Sequence, residues 1–205
     1  MSADLSAKRP TLYYIRHGET DWNVARRLQG RQDIPLNARG RAQATRCGEI
    51  LRDLFARDGR DPPTLDYVAS PLGRARHTME LARAAMGLAP EAYTVEPQLA
   101  EISFGAWEGY TIAEMRARDP QGTVQREQDK WHFLAPGGES YEMVSARMGV
   151  WYETLTRDMV AAAHGGTARG LMAYLSIAKP AAAPLIDIEQ GVVYVFEGGK
   201  LTRYA

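Results

Sequence analysis

Residues 11–23 read TLYYIRHGETDWN, and this stretch decides how the rest of the chain is organised. TLYYI (11–15) is a short apolar run rich in strand formers, and RHGETDWN (16–23) follows it with an arginine, a histidine and a glycine. In open α/β sheets ligands collect beyond the carboxyl ends of the strands, where loops and helix N-termini converge. A strand that ends on Arg16 and His17 therefore delivers both to the place where a site forms.

Further runs of the same kind are LDYVA (65–69), YTVE (93–96) and MVAAA (159–163), and stretches of helical period separate them. That alternation predicts an α/β domain with a mostly parallel sheet. Residues 37–56 carry an apolar stripe through Cys47, Ile50, Leu51, Leu54 and Phe55, with Asn37 placed as an N-cap. Residues 73–88 and 141–158 read as further helices. Near the C-terminus GVVYVFEGGKLTRYA holds two β-rich runs around Gly198 and Gly199, a hairpin signal that adds an antiparallel edge. Residues 105–140 are rich in breakers and mixed charge and read as a small helical insertion or lid, and residues 178–184 as a loop. The first ten residues read as a lead-in to the first strand.

The residues at the strand ends form a chemically coherent set. Arg16 and His17 come after the first strand, Ser70 and Arg74 after the second, Glu101 after the third, and His164, Gly165 and Gly166 after the fourth. A single histidine after a strand is more often a structural hydrogen bonder than a nucleophile. Four strand ends that each offer a compatible group change that balance. Guanidinium forks match phosphate oxygens, an imidazole can attack phosphorus, and a carboxyl group can protonate a leaving alkoxide.

Composition limits the alternatives. The chain has 205 residues, 45% of them hydrophobic, which suits one domain spanning 1–205. Basic and acidic residues are equal at 25 each, so the overall charge points neither to nucleic acid nor to a membrane surface. The lone Cys47 cannot make an intramolecular disulfide, and no apolar run reaches the roughly 20 residues a membrane span needs. The expectation is a cytoplasmic enzyme without metal or other cofactor, since no metal-ligand motif stands in the sequence. Oligomeric state is not readable.

RHGETDWN resembles the RHG signature of the histidine phosphatase superfamily, also called phosphoglycerate mutase-like. The similarity continues in family order through QGRQDIPL (29–36), SPLGRA (70–75), LAEISFG (99–105) with Trp107, Glu108 and Gly109, PGGES (136–140) and HGG (164–166). It implies a three-layer α/β/α fold around a mixed, mostly parallel sheet. By position it makes His17 the nucleophile that becomes a phosphohistidine and Glu101 the general acid and base. Arg16, Asn23, Arg74 and His164 would surround the phosphoryl group, with Gln29, Gly30 and the Gly165 N–H beside the substrate.

The resemblance leaves three functions: hydrolysis of a small phosphorylated metabolite, a cofactor-dependent phosphoglycerate mutase, or a non-enzymatic binding module. The complete set of site residues speaks against the last. The form of the segment after Glu101 and the end of the chain at Ala205, directly after the hairpin, favour a phosphatase over a mutase. Arg116 and Arg118 remain available for a second phosphate. Trp107, Tyr110, Trp131 and Tyr141 are further candidates for substrate contact, while His77 and His132 read as structural or solvent-facing, His132 meeting substrate only if the insertion closes as a lid.

Overall fold

The computed structural model describes residues 9–205, so the expected lead-in lies outside the described residues except for Arg9 and Pro10. Side chains alternate along strand β1 (Leu12–Arg16), and that alternation divides the interior in two. Leu12 and Tyr14 point into one apolar cluster, Tyr13 and Ile15 into the other. All four are at most 2% exposed, so the strand is covered on both faces.

The chain continues through α1 (Asp21–Val24), α2 (Ala38–Asp58), β2 (Asp66–Ala69), α3 (Gly73–Ala85), β3 (Thr94–Val95), α4 (Ile112–Arg118), α5 (Pro120–Gln128), α6 (Tyr141–Glu153), β4 (Met159–Ala163), α7 (Gly165–Tyr174), β5 (Val193–Glu197) and β6 (Lys200–Tyr204). The sheet order is β3-β2-β4-β1-β5-β6. The first four strands of that order pair in parallel, and β5 and β6 join antiparallel. Helices α2 and α3 pack together and supply Cys47, Leu51, Phe55 and Met79 to one face, while α6 and α7 supply Val144, Met148 and Leu171 to the other. The result is the expected three-layer α/β architecture.

Local signals explain the boundaries. The Asn37 side chain accepts from Gly40 N–H at 2.9 Å and starts α2, and Gly59 ends it in the left-handed region at φ 63°. Cys47 is buried on α2 and burial pushes its thiol up to about 12, so it is packing rather than chemistry.

Helix α7 was not expected from the sequence, where its opening glycines weaken helical propensity. Gly170 has a packing reason, because a Cβ there would lie 2.9 Å from Val144 Cγ1 on α6. The loop expected before residue 185 closes with one 3-10 turn, Ala183–Leu185. The 105–140 stretch contains α4 and α5 and a small cluster of Trp107, Met115 and Ala135, packed against Leu28 and Phe104. No helix among the described residues is long and apolar enough to cross a membrane.

Candidate active site

Adjacency of β1, β4 and β2 in the sheet brings three chain segments together at one edge. His17 extends the β1–β4 pairing by one bond, its N–H donating to Ala163 O at 2.9 Å, and Ser70 N–H does the same from β2 to Ala162 O at 2.9 Å. The loop after His17 lies against the start of α2 with no room for a side chain. A Cβ on Gly18 would sit 2.1 Å from Gly40 O, and one on Gly40 would sit 2.1 Å from Glu19 O.

The His17 ring is oriented by its own loop. Nδ1 lies 2.8 Å from Gly18 O, and because a carbonyl only accepts, Nδ1 carries the proton. Nε2 is then left with its lone pair. Burial, then Arg74, then Arg16 hold this imidazole well below its ordinary range, so it is neutral near pH 7.

His164 stands behind it, with ring centroids 5.2 Å apart. Its Nε2 meets Ser70 Oγ at 2.6 Å, and its buried Nδ1 has no protein partner. Burial and then Arg74 keep it neutral as well. The His164 backbone is fixed by Tyr14, whose hydroxyl donates to His164 O at 2.7 Å.

Two guanidinium groups converge on the same place. Arg74 is 1% exposed; its Nη1 donates to Gln32 O at 2.6 Å and its Nη2 to Gly30 O at 2.8 Å. Arg16 Nη1 donates to Ile188 O at 2.5 Å. Both Nε atoms are buried without a partner, as is Gln29 Oε1. A buried donor left unmade costs about 1–3 kcal/mol, so unsatisfied donors on two cations, beside a buried histidine nitrogen without a partner, mark a cradle for an anion. Burial lowers both arginines from the ordinary guanidinium value, and Glu101 is the foremost group opposing that for Arg74.

Glu101 reaches the edge from the turn after β3. Its Oε1 accepts from Ile102 N–H at 2.9 Å and its Oε2 from Gly166 N–H at 3.2 Å. Gly166 is required there, since a Cβ would fall 2.3 Å from Glu101 Oε1.

Arg16, His17, Asn23, Gln29, Gly30, Arg74 and Glu101 all line one cavity of about 140 Å³. His164, expected there too, is fully buried and does not line it, its ring centroid 5.2 Å from that of His17. Gly165 is the first residue of α7, and a Cβ there would sit 3.6 Å from Arg16 Nε. A larger cavity, of about 700 Å³, lies elsewhere, along Tyr67, Arg83 and Leu88, and no histidine lines it. Chemistry, not size, therefore picks out the site.

Several expectations for the insertion are corrected. Trp107 is 1% exposed, packs at a tilt against Phe133 and donates to Asp119, and Trp131 is part of the main core. Arg116 pairs with Glu127 on the surface, and Arg118 lies over the Tyr110 ring. His132 is exposed and bonded to Asp129 at 2.7 Å, in keeping with its solvent-facing reading. Of the substrate-contact candidates only Tyr141 lines the cavity. His77 lines a separate cleft with Asp33 and Leu36.

The sequence reading missed Arg27 and Arg169, which line the cavity, and Asp33, which accepts from Gly73 N–H at 2.7 Å and so caps α3 from 40 residues away. Glu108 instead braces two loops, accepting from Arg31 N–H and Phe104 N–H. Among the described residues no three His, Cys, Asp or Glu side chains are grouped to hold a metal ion.

A family model described as the histidine phosphatase superfamily, branch 1, matches residues 12–201. The 2,3-bisphosphoglycerate-dependent phosphoglycerate mutase 2 of Gloeobacter violaceus is 30% identical over 194 residues, covering 91% of this chain and 84% of that protein. The probable phosphoglycerate mutase GpmB of Salmonella paratyphi C is 33% identical over 137 residues, which span 67% of this chain and only 59% of the Salmonella protein. Among solved structures, a mycobacterial glucosyl-3-phosphoglycerate phosphatase in complex with VO3 superposes with a TM-score of 0.77 at 29% identity, over 95% of this chain and 96% of that one.

Proposed function

This chain belongs to the histidine phosphatase superfamily, and on that premise we propose that it hydrolyses a small phosphate monoester through a phosphohistidine on His17. The observation that carries the reading is the His17 ring itself. Its protonated Nδ1 is tied to Gly18 O, and its free Nε2 shares a cavity with Arg16, Arg74 and Glu101.

In the first step Nε2 attacks phosphorus in line, the P–O bond to the alcohol breaks, and the Glu101 carboxyl proton goes to the leaving oxygen. In the second step water attacks the phosphohistidine, Glu101 takes the water proton, and the P–N bond breaks to release phosphate. Arg16 Nε and Arg74 Nε, both without protein partners, are the donors for equatorial oxygens, whose charge they stabilise. A phosphoryl dianion beside His164 opposes the burial that keeps that ring neutral and favours its protonated form.

The names of the curated relatives favour a second reading, isomerisation by the same phosphohistidine. A mutase must shield the phosphoenzyme from water and hold a second phosphate. Arg116 and Arg118, the cations the sequence offered for that purpose, are engaged with Glu127 and Tyr110 outside the cavity. Arg27 and Arg169 do line the cavity, so the preference for hydrolysis rests on the phosphatase form of the segment after Glu101.

The test is rapid quenching during turnover of a panel of phosphate monoesters. Acid-labile, base-stable phosphate on His17 and release of inorganic phosphate are expected. With 3-phosphoglycerate and catalytic 2,3-bisphosphoglycerate, isomerisation faster than phosphate release would replace this reading with the mutase one. Glu101→Gln should slow alkyl esters by about 10²- to 10⁴-fold and aryl esters less, because a good leaving group needs little protonation.

A further inference from the structure

The turn that ends α3 builds one wall of a second cleft. Gly87, at φ 75°, reverses the chain in the left-handed region, and the amides of Gly87 and Leu88 donate back to Ala84 O and Arg83 O, each at 3.0 Å. This is the paired closure of a glycine-ended helix, and it seats the residue after the glycine on the last turn. It also returns Ala89 O to the Arg83 side chain, whose Nε donates to it at 2.9 Å. The cleft of about 700 Å³ lies beside this turn and the edge strand β3, and shares no residue with the phosphoryl cavity.

Leu65, Leu88, Ala92 and Met159 line the cleft with the rings of Tyr67 and Tyr93. The Tyr67 hydroxyl donates to Pro62 O at 3.0 Å and the Tyr93 hydroxyl to Glu80 at 2.8 Å, so both rings serve as apolar walls. Among the lining residues Arg83 is the one cation. It is 5% exposed, and its guanidinium lies over the Tyr67 ring, 4.1 Å from the centroid. With Nε spent on Ala89 and one face covered by Tyr67, the Nη1–Nη2 edge is left over. Neither Nη atom hydrogen-bonds to a described residue, and Nη1 is buried. Burial brings this guanidinium down from its ordinary value, Tyr67 opposes the fall, and no carboxylate acts on it. Asp66, the one carboxylate in the lining, is paired with Arg157 at 3.3 Å. A buried charge with no counter-charge is costly, and a ligand that carries the opposite charge removes that cost.

We propose that this cleft is a binding site, separate from the phosphoryl pocket, for a monocarboxylate with an apolar body, its carboxylate on the free edge of Arg83 and its body against Tyr93, Leu88 and Met159. The size and the mainly apolar lining with one placed charge are those of small-molecule sites. A planar carboxylate matches a two-nitrogen guanidinium edge. A dianion such as phosphate would meet only one cation here, and an uncharged apolar molecule would leave the guanidinium as it is.

The test is calorimetric titration of the whole chain with octanoate, with 1-octanol as the body without the charge and acetate as the charge without the body. Octanoate should bind one to one and at least about tenfold more tightly than either control, since a charge-assisted pair adds to apolar burial. Arg83→Met should reduce octanoate to the level of octanol. Ala92→Trp, at an exposed position on the cleft wall, fills the space without touching the core and should weaken octanoate and octanol alike, with an unchanged melting curve. This second variant decides the matter if loss of Arg83 unfolds the chain. Saturating inorganic phosphate should leave octanoate binding unaltered. Octanoate no tighter than octanol, binding that survives Ala92→Trp, or displacement of octanoate by phosphate would each overturn the site, and none of them bears on the phosphohistidine mechanism.

Discussion

The two ends of the central sheet are built from similar residues and solve opposite problems. At the amino-terminal ends of β1 and β4, Asp158 accepts from Thr11 N–H at 2.7 Å and pairs with Arg60, and Arg157 pairs with Asp66 at 3.3 Å. Each of these charges has an acidic or basic counterpart. At the carboxyl-terminal ends, Arg16 and the nearly inaccessible Arg74 surround two neutral histidines, and both arginines keep an unpaired Nε. Among the described residues only Asp33 makes an ion pair with either arginine, at 3.9 Å from Arg74 Nη1, although Glu101 also favours the charge on both. Like charges left uncompensated in a dry place lower stability, and natural proteins accept that where a ligand supplies the missing partner. The contrast therefore separates the end that holds the sheet together from the end that works.

The largest expected effect breaks the working end. His17→Ala should lower turnover by at least about 10⁴-fold, since no other group can form the covalent intermediate, and should leave thermal stability unchanged or higher. Phosphate release and a melting curve on the same preparation check both halves. Substantial residual turnover, or a variant that melts much earlier, would erase the distinction between the ends.

The converse substitution is Asp158→Ala. It leaves Thr11 N–H and Arg60 without their acceptor and should reduce unfolding free energy by about 1–3 kcal/mol, towards the lower figure because both side chains are partly solvated. Turnover should stay within about twofold of the wild type. Urea titration with parallel kinetics tests this, and a large drop in turnover would mean that the two ends are coupled through the sheet.

The smallest effect is on acid stability. His17 and His164 sit below their ordinary value because of burial and of Arg74. Unfolded histidines titrate near about 6.5, so below that pH the unfolded chain binds protons that the folded chain refuses. Stability from these two groups is fully present above about 6.5 and falls as pH drops towards their folded values, by at most about 1.4 kcal/mol per pH unit for each. Urea midpoints between pH 7.5 and 5 report the slope. Saturating inorganic phosphate should flatten it, because an anion favours the protonated rings in the folded state.

Legibility in the sequence followed the same division. Strand positions and the Asn37 cap were readable because each is a local pattern. The convergence of His17, Arg74, Glu101 and His164 followed from their places at strand ends. The features that were not readable depend on distant pairs. Asp33 caps α3 although Leu72, next to the helix, offers no side-chain cap. Arg169 looks like one more surface arginine until the carbonyl of Ile186 fixes it beside Arg16. Trp107 and Trp131 were misread for a related reason, since an aromatic residue in a polar, breaker-rich stretch has the same local signature whether it meets substrate or a small core of its own.

The strand order bears on how the chain is made. β4 lies between β1 and β2, although it follows both in sequence, and 150 residues separate Tyr14 from the His164 carbonyl it binds. During synthesis at about 5–20 residues per second, β1 waits roughly 8–30 s for its parallel neighbour, with Tyr13, Tyr14 and Ile15 lacking the cover that strand brings. No shorter nascent chain can place the two histidines together. The emerging protein is thus catalytically silent and at its most aggregation-prone for the same interval, which ends when Met159–Ala163 slots into the gap.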